Sequence, residues 1–256
     1  MENINTMIDR AGEILDYLYN CNEPVGVSKI STELSLPKAT AFRILVTLEK
    51  WNIIEKQINT DKYRLGKILI IYGAKVSSDL SLVEVASPII NALSNKIGES
   101  TNLNIEYQGN SLNIYKSSND NFKLVSKLIP ISPLNCSSSG KIFLSTKTIE
   151  ELKEYFNSKY CFKRTMYSIT DYDSFKKEAE SISNTGLAYD NEEYEYGLFC
   201  VSSPIYYKKK LVATMSVSGP KTRLEYKGLK MIEKELKLSC ELVTNLIDFL
   251  DSDSLL

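Results

Sequence analysis

The spacing of apolar and polar positions predicts a helical first quarter and a mixed remainder. From Thr6 to Tyr19, Ile8, Ala11, Leu15 and Leu18 fall at helical spacing, giving an amphipathic helix that ends near the turn-forming stretch Asn20–Gly26. Ser28 offers an N-cap for a short second helix that carries Ile30 and Leu34 inward. It stops at Leu36-Pro37, because proline can open a helix but not continue one. A third helix starts at about Pro37. Ala41, Ile44, Leu45 and Leu48 form its apolar stripe and leave Lys38, Thr40, Phe42, Arg43 and Thr47 away from the stripe's centre. Ile53–Ile58 and Tyr63–Leu65 then read as two short strands across an Asn59-Thr60-Asp61 turn. Three helices followed by a hairpin predict a winged helix over residues 1–66.

Gly66–Ser78 is apolar and predicts a connecting helix, assigned to a linker over residues 67–80 and a candidate dimer contact. Ser81-Leu82-Val83-Glu84 has capping-box spacing, so a further helix is expected to run from Leu82 to Ile97, with Pro88 near its middle and Gly98 ending it. Strands are expected at Thr101–Tyr107, Leu112–Tyr115 and Phe122–Lys127, and helices at Gly140–Phe156 and Ser174–Ser183. Two more strands, Cys200–Tyr207 and Leu211–Ser218, flank Lys208-Lys209-Lys210, and a long helix from Gly228 to Leu250 closes the chain. The fold class is therefore α+β, with residues 81–256 forming a second domain.

Composition adds exclusions. At 256 residues, 43% hydrophobic and 25% charged, the chain is an ordinary globular one. Its net charge of −1 says nothing about a polyanion partner until the charge is located. Between Gly26 and Lys67, Lys29, Lys38, Arg43, Lys50, Lys56, Lys62, Arg64 and Lys67 stand against Glu33, Glu49, Glu55 and Asp61, a local excess of four positive charges. The preceding stretch is acidic, so the basic charge is segregated onto the winged helix. The five cysteines are scattered, without the spacing of a disulfide framework or zinc ribbon. The absence of histidine excludes hydrolase triads and histidine-bearing metal sites. No catalytic constellation, metal site or cofactor motif is visible. With no run of 18 apolar residues and no signal-peptide pattern, a cytoplasmic protein without a membrane partner is expected.

Two places carry candidate chemistry. The third helix combines Lys38 and Arg43, suited to phosphates and guanine edges, with the hydroxyls of Thr40 and Thr47, an arrangement fit for a DNA major groove. Protein-binding winged helices share this geometry. In the second domain, Ser137-Ser138-Ser139-Gly140 precedes a predicted helix, where backbone N–H groups, the helix dipole and hydroxyls converge on the position an anion would occupy. A phosphate loop is excluded, because Asn135 stands where its first glycine belongs and Ile142 follows Lys141. The bland reading is that these serines cap the helix. Thr214, Ser216 and Ser218 share one strand face, which is either a pocket lining or a half-solvated sheet. Asp190 and Cys200 read equally as a solvated loop carboxylate and a small buried hydrophobe.

Several blocks together resemble the IclR family of bacterial transcription regulators. They are Gly26–Gly66 with Leu36-Pro37-Lys38-Ala39-Thr40-Ala41-Phe42-Arg43 and Tyr63-Arg64-Leu65-Gly66; Pro133-Leu134-Asn135-Cys136-Ser137-Ser138-Ser139-Gly140-Lys141; Asp190-Asn191-Glu192-Glu193 with Gly197 and Cys200; and Ser216-Val217-Ser218-Gly219-Pro220. Phe42 and Asn135 stand where histidine is common, and Ser138-Ser139 replace small apolar residues. The resemblance implies a GAF/PAS-like α/β effector-binding domain after the winged helix, and a homodimer or tetramer on a double-stranded DNA operator. It assigns DNA contacts to Ser28, Lys38, Thr40, Phe42, Arg43, Thr47 and Arg64. It assigns a small carboxylate, a sugar acid or keto acid, to Leu124, Ser132, Ser138, Ser139, Asp190, Cys200, Ser216 and Ser218. It further suggests a repressor of a catabolic operon. Two other readings compete: a winged-helix scaffold for proteins, and an enzyme acting on a small acid.

Overall fold

Helix α1 (Thr6–Asn20) starts where the Asn5 side chain accepts the Met7 and Ile8 amides. Its buried residues are Ile14 and Leu18, whereas Ile8, expected inside, is 71% exposed. The stripe therefore runs through Ala11, Ile14 and Leu18 and omits the first turn. Val25–Gly26 forms a strand, β1, paired with Tyr63 and Lys62. The chain thus reaches helix α2 (Val27–Glu33) extended through Gly26, which places Ser28 inside the helix rather than at its cap. Ser35, in a left-handed conformation, and a hydrogen bond from Ser31 Oγ to the Leu36 carbonyl shape the turn into helix α3 (Lys38–Lys50). Ala41, Ile44, Leu45 and Leu48 are buried, as the pattern predicts. Strands β2 (Ile54–Lys56) and β3 (Lys62–Leu65) complete a sheet ordered β1-β3-β2. At Gly66 a Cβ would lie 2.0 Å from the Asn52 carbonyl oxygen, so only glycine lets the wing close on α3. Helix α4 (Ile68–Ser78) follows.

The structure, a computed structural model, describes residues 5–58, 60–78, 81–117 and 130–250. It divides into two compact units between Val76 and Ser77. The expected strand at residues 122–127 and the candidate Leu124 lie outside the described residues.

The second unit is built on an antiparallel sheet ordered β6-β5-β4-β9-β8-β7. Its strands are β4 (Ser100–Tyr107), β5 (Asn110–Lys116), β6 (Ile131–Pro133), β7 (Ala188–Asn191), β8 (Leu198–Tyr207) and β9 (Lys210–Pro220). Helices α5 (Ser81–Ile97) and α10 (Leu229–Leu250) cover one face, burying Leu103, Val201, Ile205, Met215 and Val217 with Ile90, Leu93, Leu236 and Val243. Ser81 is already helical, so the capping box expected there is not formed. Helix α9 (Lys221–Lys227) precedes α10.

The other face carries helices α6 (Ser138–Ser145), α7 (Ile149–Phe156) and α8 (Tyr172–Thr185), the last ended by Gly186 in a left-handed conformation. Periodicity merged α6 and α7 into one helix, but the chain breaks at Thr146-Lys147-Thr148, where Thr148 and Glu151 form a capping box. Thr148→Ala is expected to lower stability by about 1 kcal/mol in a denaturant melt, the usual worth of an N-cap.

Candidate functional sites

On the winged helix, α3 presents Ala39, Arg43, Val46 and Lys50 opposite its buried stripe, with Phe42 exposed on the flank between. Phe42 is 50% exposed and Val46 45% exposed, large apolar side chains on the solvent side of the helix. Lys38 and Arg43 are exposed as expected, whereas Thr40 is half-buried. The Thr47 hydroxyl donates to the Arg43 carbonyl at 2.8 Å, so its proton is spent within the helix. Ser28 is exposed on the first turn of α2. Arg64 pairs with Glu55 and Lys56 with Asp61, so two of the wing's cations already have carboxylate partners. Ala39, Val46 and Lys50 were not singled out from the sequence. Continuing the 100° helical step from Phe42 and Arg43 would have found them, and the methyl groups of Ala39 and Val46 suit contact with thymine.

In the second unit, the sheet face under α6 is polar. Asn102 and Asn104 on β4, Ser216 and Ser218 on β9, and Cys200 and Ser202 on β8 point the same way, because β4 pairs with β9 and β8 with β9 in matching register. The start of α6 drops onto them. Ser138 Oγ lies 2.7 Å and Ser139 Oγ 3.0 Å from Ser202 Oγ. Asn104 donates to Ser139 and Ser216, and Asn102 to Ser218. The hydroxyl of Thr214, also buried, has no hydrogen-bond partner among the described residues. Ser137 takes the capping role, accepting the Gly140 amide and donating to the Pro133 carbonyl. Gly140 is required here, since a Cβ would sit 2.3 Å from the Leu134 Cα.

Asp190 closes one end of this patch. Its carboxylate accepts the Glu193 and Tyr194 amides at 2.8 and 3.1 Å and also meets the Cys200 thiol. Burial pushes the Asp190 carboxyl up to about 7 despite those amides, and burial beside Asp190 holds the Cys200 thiol well above its ordinary value. Behind it, Lys141 is 1% exposed and bonded to Glu193 at 2.5 Å and Glu178 at 2.9 Å. Burial opposes the ammonium, but the two carboxylates outweigh it and raise its pKa. Lys141 thereby ties α6 to the loop that follows β7.

Ser138, Ser139, Asp190, Cys200, Ser216 and Ser218 therefore gather in one place. Ser132 lies on the outer strand β6, opposite Ser111, and shares the sheet face without touching the group. Asn102, Asn104, Ser202 and Lys141 belong to the same patch but were not chosen from the sequence. Alternation in Asn102-Leu103-Asn104 and from Cys200 to Ser202 was the available signal. Asn135, where the family favours histidine, does not line the patch. It holds the loop after α7 by donating to the Phe162 and Ile169 carbonyls.

A winged helix followed by an α/β unit with a buried polar patch is the organisation of a DNA-binding regulator. The chain belongs to the IclR family: residues 74–244 match the bacterial transcriptional regulator IclR C-terminal domain and residues 7–57 the IclR helix-turn-helix domain. It is 31% identical to an HTH-type transcriptional regulator of Haemophilus influenzae, over 94% of this chain and 92% of that one. It is 26% identical to the DNA-binding transcriptional repressor YiaJ of Escherichia coli, over 94% and 88%. Among solved structures, an IclR homologue of Microbacterium hydrocarbonoxydans complexed with 4-hydroxybenzoate superposes with a TM-score of 0.78 at 20% identity, covering 94% of this chain and 98% of that one. The protein is a transcription regulator, not an enzyme. No helix among the described residues is long and apolar enough to cross a membrane.

Proposed function

We propose that this protein is a repressor of a catabolic operon that releases or rearranges on its operator when a small carboxylate, a sugar acid or keto acid, enters the patch under α6. Residues 1–66 read the DNA, residues 67–80 link, and residues 81–256 sense. The protein works in the cytoplasm as a homodimer or tetramer. Lys38, Phe42 and Arg43 face the operator together with Ala39, Val46 and Lys50, while Ser28, Thr40, Thr47 and Arg64 flank them. The effector lies among Ser138, Ser139, Ser216, Ser218, Asp190 and Cys200, with Asn102, Asn104 and Ser202 added.

The observation that carries this reading is the density of buried hydroxyl and amide groups at the first turn of α6. Burying such groups costs free energy that packing does not return, and their bonds to one another leave Thr214 unmet. Donors from several strands, converging at a helix N-terminus, suit a carboxylate bearing further oxygens. The ligand named for the Microbacterium relative is itself a carboxylate.

The test is an electrophoretic shift with the promoter DNA flanking its own gene, at stated salt, with and without a panel of sugar and keto acids. A specific shift that one acid alters is expected. Binding no tighter than to random DNA under every condition, with a neutral aromatic the only ligand seen by calorimetry, would refute it. Within the same assay, Arg43→Ala is expected to weaken the specific operator complex by about 1–3 kcal/mol, the worth of a base-edge contact. An unchanged operator affinity would remove Arg43 from the reading face.

A further inference from the structure

Helix α3 carries apolar residues on two sides. Ala41, Ile44, Leu45 and Leu48 are buried in the core of the winged helix, but Ala39, Phe42 and Val46 are exposed. At 100° per residue Ala39 and Val46 lie almost on one line, about 10.5 Å apart at 1.5 Å per residue, with Phe42 on the flank between them. One exposed apolar residue is ordinary. Here three occupy consecutive turns of the outer side, and Arg43 is set among them.

The polar groups on this side are few in kind. Lys38–Lys50 contains no asparagine or glutamine, the side chains that take adenine by two hydrogen bonds. Its one carboxylate, Glu49, is half-buried beside the stripe, and the Thr47 hydroxyl gives its proton to the Arg43 carbonyl. Lys38 and Lys50 stand at the two ends of the helix, where a helix lying in a groove meets phosphates. Arg43 is left in the middle, and its guanidinium fork matches the N7 and O6 acceptors of guanine. No side chain here matches adenine's donor and acceptor together. Thymine, however, carries a C5 methyl group in the major groove, which an apolar side chain recognises by burying it.

We propose that the A·T pairs of the operator are read through thymine methyl groups covered by Ala39, Phe42 and Val46, close to a guanine held by Arg43. The inference rests on the reading that α3 enters the major groove of the operator. The distance from Ala39 to Val46 corresponds to about three base-pair steps of 3.4 Å, so the thymines lie within about three pairs of that guanine.

Uracil is thymine without the methyl group and keeps its pairing edge and its O4 acceptor. The test takes a duplex selected from a randomised pool by the full wild-type chain and makes it with thymine or with uracil. Binding is followed by fluorescence anisotropy at one stated salt. The wild type is expected to bind the uracil duplex at least about tenfold more weakly, at about fourfold for each methyl group that loses its cover. Random duplex, held through phosphates, should change by less than about twofold. Phe42→Ala combined with Val46→Ser alters only exposed positions, and its helix content by circular dichroism should match the wild type. On the thymine duplex this variant is expected to bind as weakly as the wild type does on uracil. It should separate the two duplexes by less than about threefold, the share left to Ala39. Any effect of uracil on duplex stiffness acts on both chains alike, so the lost discrimination reports the side chains. Equal binding of both duplexes by the wild type, undiminished discrimination by the variant, or a selected duplex with no thymine near guanine would overturn this inference and leave operator reading intact. A wild-type chain that selects no duplex above random DNA would overturn both.

Discussion

Replacing Lys141 with methionine is expected to cost the second unit about 3–5 kcal/mol, read as a lower urea midpoint by circular dichroism. Lys141 is fully buried, and its ammonium is the counterion for Glu193, itself buried, and for Glu178, which keeps contact with solvent. Glu193 Oε2 has no hydrogen-bond partner among the described residues, so removing the ammonium leaves a buried carboxylate without its counterion. The size of the loss comes from that stranded charge rather than from the pair's own worth. Adding Glu193→Gln should therefore return part of the stability. If Lys141→Met alone costs under about 1 kcal/mol, the pair is solvated or already neutral. Because Lys141 joins α6 to Glu193, on the loop that follows the strand carrying Asp190, the single variant should also loosen the placement of Ser138 and Ser139.

The pH dependence of Asp190 is the second large effect. Burial raises its folded pKa from the ordinary aspartate range to about 7, so the unfolded chain gives up this proton first as pH rises. The stability it supports is complete below the unfolded value and is lost as pH climbs through the folded one. Carboxylates held low by their partners, such as Asp171 and Glu99, work in the opposite direction. The comparison is therefore with Asp190→Asn, which keeps an oxygen for the Glu193 and Tyr194 amides and does not titrate. Between pH 5 and 8 the variant should gain roughly 2–3 kcal/mol on the wild type. A constant difference across that range would mean that Asp190 is ionised throughout. At neutral pH the same group sets a condition on the proposed effector, since an arriving carboxylate meets an Asp190 that must hold its proton to avoid a second buried negative charge.

What the sequence determined by itself is what repeats locally. The 3.6-residue period marked the stripe Ala41, Ile44, Leu45 and Leu48, proline at 37 opened α3, and the period of two put Thr214, Ser216 and Ser218 on one face. These follow from backbone geometry within a few residues, as does the concentration of basic charge between Gly26 and Lys67. The short strands β1, β6 and β7 were not legible, because two to four residues carry no period and only a partner strand makes them strands. Nor was the burial of Ile14 in place of Ile8, which depends on what lies against α1. The patch itself is assembled from distant positions: Asn104 meets Ser216 across 112 residues and Lys141 meets Glu193 across 52. Alternation could say that these side chains share a face, but only the closing of α6 over the sheet decided which of them touch, which proton Asp190 keeps and which lysine is buried to balance the charge.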